Sequence, residues 1–234
     1  METVAVILAA GSGSRTGLSI PKQFLSLGEK TVLEHSVQTF QNHPGIDRIV
    51  IVTAKESIEK VQSLVKTCNW TKATAVLPGG KERFDSSLAA VRYFKDQPDT
   101  VMLFHDAARP LVSERIITDT LKAMETYNAV DVAIPAVDTI VQCDKEGTCM
   151  TSIQDRRLLW RMQTPQGFRQ KTIQEAYRIA LQDPQFTATD DCGTVLRYLP
   201  DEKVGIVRGS ERNIKLTYAD DLPLLEFLLS TPER

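Results

Sequence analysis

The stretch Leu8-Ala9-Ala10-Gly11-Ser12-Gly13-Ser14-Arg15, continued to Pro21-Lys22-Gln23, has the residue types of an anion cradle. Small residues leave no bulk between the main chain and whatever approaches it. Glycine permits turns that point successive N–H groups one way. Arg15 and Lys22 add fixed positive charge, so the combination suits a polyphosphate. The loop is not a Walker A loop, because no Gly-x-x-x-x-Gly-Lys-Ser/Thr string is present. Nor is it the dinucleotide fingerprint Gly-x-Gly-x-x-Gly. Gly17 comes one residue late and Arg15 stands inside the loop, which counts against a nicotinamide-dependent oxidoreductase.

Three further strings carry candidate chemistry. Gly79-Gly80-Lys81-Glu82-Arg83 leads towards Ser86 and lets the backbone approach a flat ligand. An N-capped helix after a turn has the same composition. His105-Asp106-Ala107-Ala108-Arg109 sets a carboxylate and a guanidinium around small residues. Asp106 suits a magnesium ion, which takes one or two carboxylates plus substrate phosphates, and Arg109 suits phosphate. An Asp106–Arg109 ion pair ordering a turn is the alternative. His105 reads as a packed or locally hydrogen-bonded residue, since a phosphate nucleophile is already ionised and needs no strong base. Lys215, in Asn213-Ile214-Lys215-Leu216, is either a catalytic or phosphate-binding lysine or a snorkelling lysine on an edge strand. Thr187-Ala188-Thr189-Asp190-Asp191 reads as ordinary capping at a helix start.

The elements that must position these groups follow from periodicity. Strand-like runs are Val4–Leu8, Arg48–Val52, Ala73–Leu77, Val101–Phe104, Val132–Ile134 and Val204–Val207. Helical stripes fall at Val32, Leu33, Val37 and Phe40, at Ile58, Val61, Leu64 and Val65, and at Leu88, Val91 and Phe94. The alternation predicts an α/β, Rossmann-like, mostly parallel sheet with helices on both faces, and ligands on such sheets bind beyond the carboxyl ends of the strands. One segment departs from it. Thr139–Cys143 and Thr148–Ile153, separated by Asp144-Lys145-Glu146-Gly147, read as a β-hairpin with apolar residues on both faces. It must pack on its own domain or on a partner.

A chain of 234 residues fits a single domain over 1–234. The formal net charge of −2, without a basic stripe, argues against a nucleic-acid partner. No apolar run has the length of a membrane span and no signal peptide is evident, so a cytoplasmic location is expected. The 4 cysteines form no Cys-x-x-Cys pair, which argues for reduced structural thiols rather than a zinc site.

The strings Leu-Ala-Ala-Gly, Pro-Lys-Gln, Gly-Gly-x-x-Arg, His-Asp-Ala-Ala-Arg-Pro, Asp-Thr, Gln-Thr-Pro-Gln, Thr-Asp-Asp and Asn-Ile-Lys-Leu-Thr occur in this order along nearly the whole chain. Together they resemble the 2-C-methyl-D-erythritol 4-phosphate cytidylyltransferases of the non-mevalonate isoprenoid pathway. Relatives that load CTP onto ribitol phosphate share most of the strings but tend to carry Ala-Gly-Gly and Asp-Ser-Val-Arg-Pro. Ala9-Ala10-Gly11 and Asp106-Ala107-Ala108-Arg109 favour the former substrate.

The resemblance implies roles. Ala9, Ala10, Gly79, Gly80 and Ser86 line the cytosine and ribose pocket. Gly11, Gly13, Arg15 and Lys22 hold the triphosphate, and Lys215 neutralises the α-phosphate. Asp106 faces magnesium and the polyol, which Arg109 and Thr189 also contact. Residues 138–157 form a dimerisation arm carrying Thr139 and Arg156 to a second subunit's substrate phosphate. Thr16, Lys81 and Arg157-Leu158 depart from the usual pattern, with consequences for the cytosine edge and the phosphate grip.

Overall fold

The computed structural model describes residues 1–11, 20–187 and 190–231. In chain order the elements are β1 (Thr3–Ala9), the short ribbon β2 (Ser26–Leu27) and β3 (Lys30–Thr31), α1 (Val32–Asn42), β4 (Arg48–Thr53), α2 (Ile58–Thr67) and β5 (Ala73–Pro78). Then come α3 (Arg83–Tyr93), β6 (Val101–Asp106), α4 (Glu114–Ala123), β7 (Ala129–Pro135), the hairpin β8 (Val141–Cys143) and β9 (Met150–Ile153), and β10 (Trp160–Met162). The chain finishes with β11 (Gln166–Arg169), α5 (Gln170–Ala180), α6 (Asp191–Tyr198), β12 (Val204–Arg208) and α7 (Asp221–Ser230).

The main sheet runs β10-β7-β11-β6-β1-β4-β5, with β12 also on β7. The pairs β6–β1, β1–β4, β4–β5 and β7–β12 are parallel, while β11 and β10 run antiparallel to their neighbours. All six strand-like runs of the sequence are strands of this sheet, and the three apolar stripes lie on α1, α2 and α3. Strand parity explains the two layers of core. Ala5, Ile7 and Ala9 pack on one face with Leu33, Val37 and Phe40, whereas Val4, Val6 and Leu8 pack on the other with Leu88, Val91 and Phe94. Both faces of β1 are covered, so its sequence is apolar without alternation.

Side chains pin the helix starts. Thr31 and Glu34 form a reciprocal capping box at α1: Glu34 N–H donates to Thr31 Oγ1 at 3.3 Å, and Thr31 N–H to Glu34 Oε2 at 2.7 Å. Asp190 caps α6 by accepting from Gly193 N–H at 2.8 Å. The hairpin β8–β9 pairs only with itself in the strand network. Its Ile140, Val141, Met150 and Ile153 are all exposed, so the described residues leave its apolar side chains uncovered. Among the described residues no helix is long and apolar enough to cross a membrane.

Candidate active site

Three loops meet beyond the carboxyl ends of the parallel strands. One follows β1, one links β5 to α3 and one follows β6. Together with the segment before α7 they enclose a cavity of about 180 Å³ whose lining includes Ala9, Ala10, Gly11, Lys22, Gly80, Ser86, Asp106 and Lys215. These are eight of the site residues expected from sequence. Gly13, Arg15 and Thr189 lie outside the described residues, as does the departure at Thr16.

The loop after β5 requires its glycines. A Cβ at Gly79 would sit 2.5 Å from Ala10 Cβ and 2.6 Å from Ser86 Oγ. At Gly80 it would sit 2.1 Å from Asp85 Cβ. Gly79 N–H donates to Thr53 O at 2.7 Å and Gly80 N–H to Ser86 Oγ at 3.4 Å, so the loop is tied to the end of β4 and to α3, with Ala10 of the β1 exit close to Gly79. Gln23, buried, donates to Ala9 O at 2.7 Å and ties the Pro-Lys-Gln string to the same exit. Lys22 Nζ donates to Leu216 O at 3.0 Å.

Asp106 is the electrostatic centre. Its Oδ1 accepts from Arg83 Nε at 3.0 Å and its Oδ2 from Lys215 Nζ at 2.6 Å. Burial pushes its carboxyl up, but the charges of Arg83, Lys215 and Arg109 outweigh that and hold it well below the ordinary range. Its backbone N–H donates to Thr164 Oγ1 at 3.2 Å. The Thr164 hydroxyl lies 3.0 Å from His105 Nδ1, and His105 Nε2 lies 3.0 Å from Arg109 O. A carbonyl only accepts, so Nε2 carries the proton and Nδ1 accepts from Thr164. Burial depresses the His105 pKa to about 4, which keeps the ring neutral as this pattern requires. His105 is therefore the locally hydrogen-bonded residue expected from sequence.

Arg109 makes no ion pair with Asp106. Its Nη1 donates to Asn213 O at 2.7 Å and its Nη2 to Met162 O at 3.3 Å, while Nε is buried without a hydrogen-bond partner among the described residues. The turn-ordering Asp106–Arg109 ion pair considered from sequence is replaced by the longer-range pairs to Arg83 and Lys215. Lys215 is also not in a strand. Its segment lies outside the sheets, held by Leu216 N–H on Ala108 O at 2.8 Å and by Asn213 Nδ2 on Thr164 O at 2.8 Å. Thr139 and Arg156 are exposed on and beside the hairpin arm, outside the lining of this cavity. Arg156 Nη1 donates to Val137 O at 3.3 Å. The unusual Arg157 pairs with Asp155 at 2.7 Å, both largely exposed.

Sequence reasoning gave no role to Arg83, Asp191, Gln23, Thr164 or Asn213, although each lies in or beside a quoted string. A glycine-rich loop at the carboxyl edge of a parallel sheet, with Lys22 and Lys215 on one cavity and Lys215 paired with Asp106, marks an α/β protein of the class whose ligands bind beyond the strand ends.

Comparison with known proteins narrows this class. Residues 3–231 match the family model described as IspD: 2-C-methyl-D-erythritol 4-phosphate cytidylyltransferase, and the chain belongs to that family. It is 45% identical over 234 residues to the 2-C-methyl-D-erythritol 4-phosphate cytidylyltransferase of Thermobifida fusca, covering 98% of this chain and 94% of that protein. It is 43% identical over 231 residues to the bifunctional ribulose 5-phosphate reductase/CDP-ribitol pyrophosphorylase Bcs1 of Haemophilus influenzae, covering 98% of this chain but only 48% of Bcs1. The chain thus spans about half the length of that relative. The crystal structure of 4-diphosphocytidyl-2C-methyl-D-erythritol synthase from Anaerococcus prevotii superimposes with a TM-score of 0.85 at 27% identity, covering 98% of this chain and 99% of that one.

Proposed function

We propose that this chain transfers the cytidylyl group of CTP to 2-C-methyl-D-erythritol 4-phosphate and releases pyrophosphate. The observation that carries the reading is the single cavity shared by the Ala9–Gly11 turn, Gly80, Ser86, Lys22, Lys215 and Asp106. The main-chain loops take the cytosine and ribose. Lys22, with Gly11, Gly13 and Arg15, takes the triphosphate, and Lys215 takes the α-phosphate. The substrate phosphate oxygen attacks the α-phosphorus, the bond to pyrophosphate breaks in line, and no covalent enzyme intermediate forms. Catalysis is positioning plus stabilisation of charge on the α-phosphate and the leaving group.

Asp106 would hold magnesium. Among the described residues no group of three or more acidic, histidine or cysteine side chains is assembled for a metal. One ionised carboxylate beside a polyphosphate pocket fits an ion that draws its remaining ligands from phosphates and water. When bound, the ion would neutralise phosphate charge.

A homodimer with shared sites is part of the reading. The uncovered apolar faces of β8–β9 support it, with Thr139 and Arg156 reaching the neighbour's substrate phosphate, and Arg109 and Thr189 gripping the polyol. The cytoplasm is the proposed location, consistent with four free cysteines at Cys68, Cys143, Cys149 and Cys192. The identity to Bcs1 favours ribitol 5-phosphate as the second reading.

Pyrophosphate release measured with CTP, ATP, GTP and UTP, each against methylerythritol 4-phosphate and ribitol 5-phosphate, tests both. CTP with methylerythritol phosphate should give the highest kcat/KM. A higher value with ribitol phosphate would transfer the assignment to the second reading, and no release with any pair would reject both.

A further inference from the structure

Arg83 joins three loops that are far apart in sequence. It is the first residue of α3, directly after the Gly79–Glu82 loop. Its Nε donates to Asp106 Oδ1 at 3.0 Å, and its Nη1 to Asp191 Oδ2 at 2.6 Å. Asp191 opens α6 and is 2% exposed. Its Oδ2 also accepts from Ser87 Oγ at 3.1 Å, and its Oδ1 accepts from the Tyr177 hydroxyl. Asp191 is thus held by α3 and α5 together and makes a fixed anchor. The guanidinium is planar and rigid, so a fork fastened at Asp191 sets the direction of its Nε–H. That N–H pins Oδ1 of Asp106 and leaves Oδ2 to face Lys215.

We propose that Arg83 is a positioning residue that aims the Asp106 carboxylate and ties it to the start of α6. The proposal rests on the reaction assigned above. Two charges of each sign meet here, Arg83 and Lys215 against Asp106 and Asp191. The competing role for Arg83 is only to balance the buried charge of Asp191. Arg83 also borders a second cavity, lined by Glu82, Phe84, Asp85, Phe186, Thr187, Asp190 and Asp191. It is therefore the wall between the nucleotide pocket and the ground before α6, where Thr189 is expected to reach the polyol. An aim set by Arg83 concerns the acceptor substrate more than CTP, whose contacts lie on Ser86, Gly80 and the β1 turn.

Charge balance and aim separate in a set of variants. R83M leaves Asp191 buried and unpaired, whereas R83M/D191N removes both charges and restores balance without restoring the fork. D191N alone keeps the Arg83–Asp106 bond. Wild-type turnover is measured first, and its absence would reject the reaction itself rather than this role. Losing one oriented charge contact typically costs on the order of a hundredfold in turnover. R83M/D191N should melt close to wild type and bind CTP within about threefold by titration calorimetry. Its kcat should nevertheless fall about a hundredfold, and its KM for the polyol phosphate should rise about tenfold. D191N should keep a kcat at least about tenfold above that of the double variant.

Recovery of kcat and KM to within about threefold of wild type in R83M/D191N would reduce Arg83 to a counter-ion and overturn the proposal. Equal losses in D191N and R83M would overturn it too. Should the double variant fail to fold, R83K takes its place. A lysine is a point charge that reaches one carboxylate and not both, so kcat should drop about tenfold with the fold retained, and full activity would refute the aim. A crystal structure of R83M/D191N reads the same question without turnover. The proposal requires the Asp106 carboxylate to leave its present orientation, and an unchanged Asp106–Lys215 pair would contradict it.

Discussion

Asp131→Asn should stabilise the protein at neutral and alkaline pH. Asp131 sits on β7 with 4% exposure. Its Oδ1 accepts from Gln166 Nε2 at 2.9 Å, and the same nitrogen donates to Asp190 Oδ2 at 2.7 Å. Two carboxylates thus share one neutral amide, and Asp131 has no salt-bridge partner among the described residues. Burial raises its pKa to about 7. The Gln166 bond lowers it, the Asp190 charge raises it, and the Val132 N–H and the charge of Arg109 bring it down in part. An unfolded aspartate titrates near 3.9, so the gap is about 3 units, or about 4 kcal/mol at 1.36 kcal/mol per unit.

The sign follows from proton counting. Between about pH 4 and pH 7 the folded state holds a proton that the unfolded state has lost, so stability falls as pH rises through that window. The contribution is complete below about pH 4 and gone above about pH 7. An asparagine at this position carries no such dependence. Guanidinium unfolding of both proteins at half-unit steps from pH 4 to pH 8.5 gives a difference curve that isolates this group from Asp106 and His105. The variant should gain on wild type by about 4 kcal/mol between pH 4 and pH 7.5 and then stay level. A flat difference curve would refute the argument, since Asp131 would then be ionised in the folded protein at its ordinary pKa.

Lys22→Ala and Lys215→Ala should each lower kcat about a hundredfold, about 3 kcal/mol, with melting temperature used to confirm folding; near-normal turnover would reject their role at the phosphates. Asp106→Asn should raise the magnesium concentration for half-maximal rate at least about tenfold, and an unchanged magnesium titration would leave Asp106 as a structural partner of Arg83 and Lys215. Asp106→Ala and Arg156→Ala, assayed at a polyol phosphate concentration low enough that neither alone turns over measurably, should recover about a quarter of wild-type activity when mixed under subunit exchange. Half the dimers are then mixed, and each mixed dimer holds one intact site. Absence of recovery, with exchange shown by differently tagged chains, would place both residues in one chain's site.

What was legible in the sequence was whatever depends on local composition. The β-branched runs announced six strands, of which β1, β4, β6 and β7 are buried, and the small residues of Ala9–Gly11 and Gly79–Gly80 announced places where backbone must come close. The antiparallel strands β10 and β11 were not legible. Trp160–Met162 is only 3 residues long with exposed side chains, and Gln166-Gly167-Phe168-Arg169 contains no β-branched residue. The charge network was hidden for another reason. Arg83 and Asp191 are 108 residues apart, and Lys215 and Asp106 are 109 apart, so no spacing rule joins them. Adjacency instead offered Asp106 and Arg109, yet Arg109 turns its donors to the carbonyls of Asn213 and Met162. The edge-strand alternative for Lys215 is not realised, because that segment finds its partners one contact at a time. Ala108, Lys22 and Arg109 do the work of a neighbouring strand.

The hairpin arm shows how a chain can be locally complete and still unfinished. Its turn is well satisfied: the Asp144 carboxylate accepts from Thr148 N–H at 2.8 Å and from Cys149 N–H at 3.0 Å. That geometry organises the hairpin without any help from the rest of the fold. Yet Met150 is 61% exposed and Ile153 is 62% exposed, and a two-stranded ribbon in water is only marginally stable by itself. Exposed apolar side chains of this kind are what the proposed dimer would cover. The cavity proposed for the nucleotide, by contrast, is lined by residues of this chain, Lys22 and Lys215 among them. On the proposed function the arm of a second copy acts on the acceptor phosphate and leaves the nucleotide to this lining. Under that division of labour, Arg156→Ala should raise the KM for the polyol phosphate while leaving the affinity for CTP as it was.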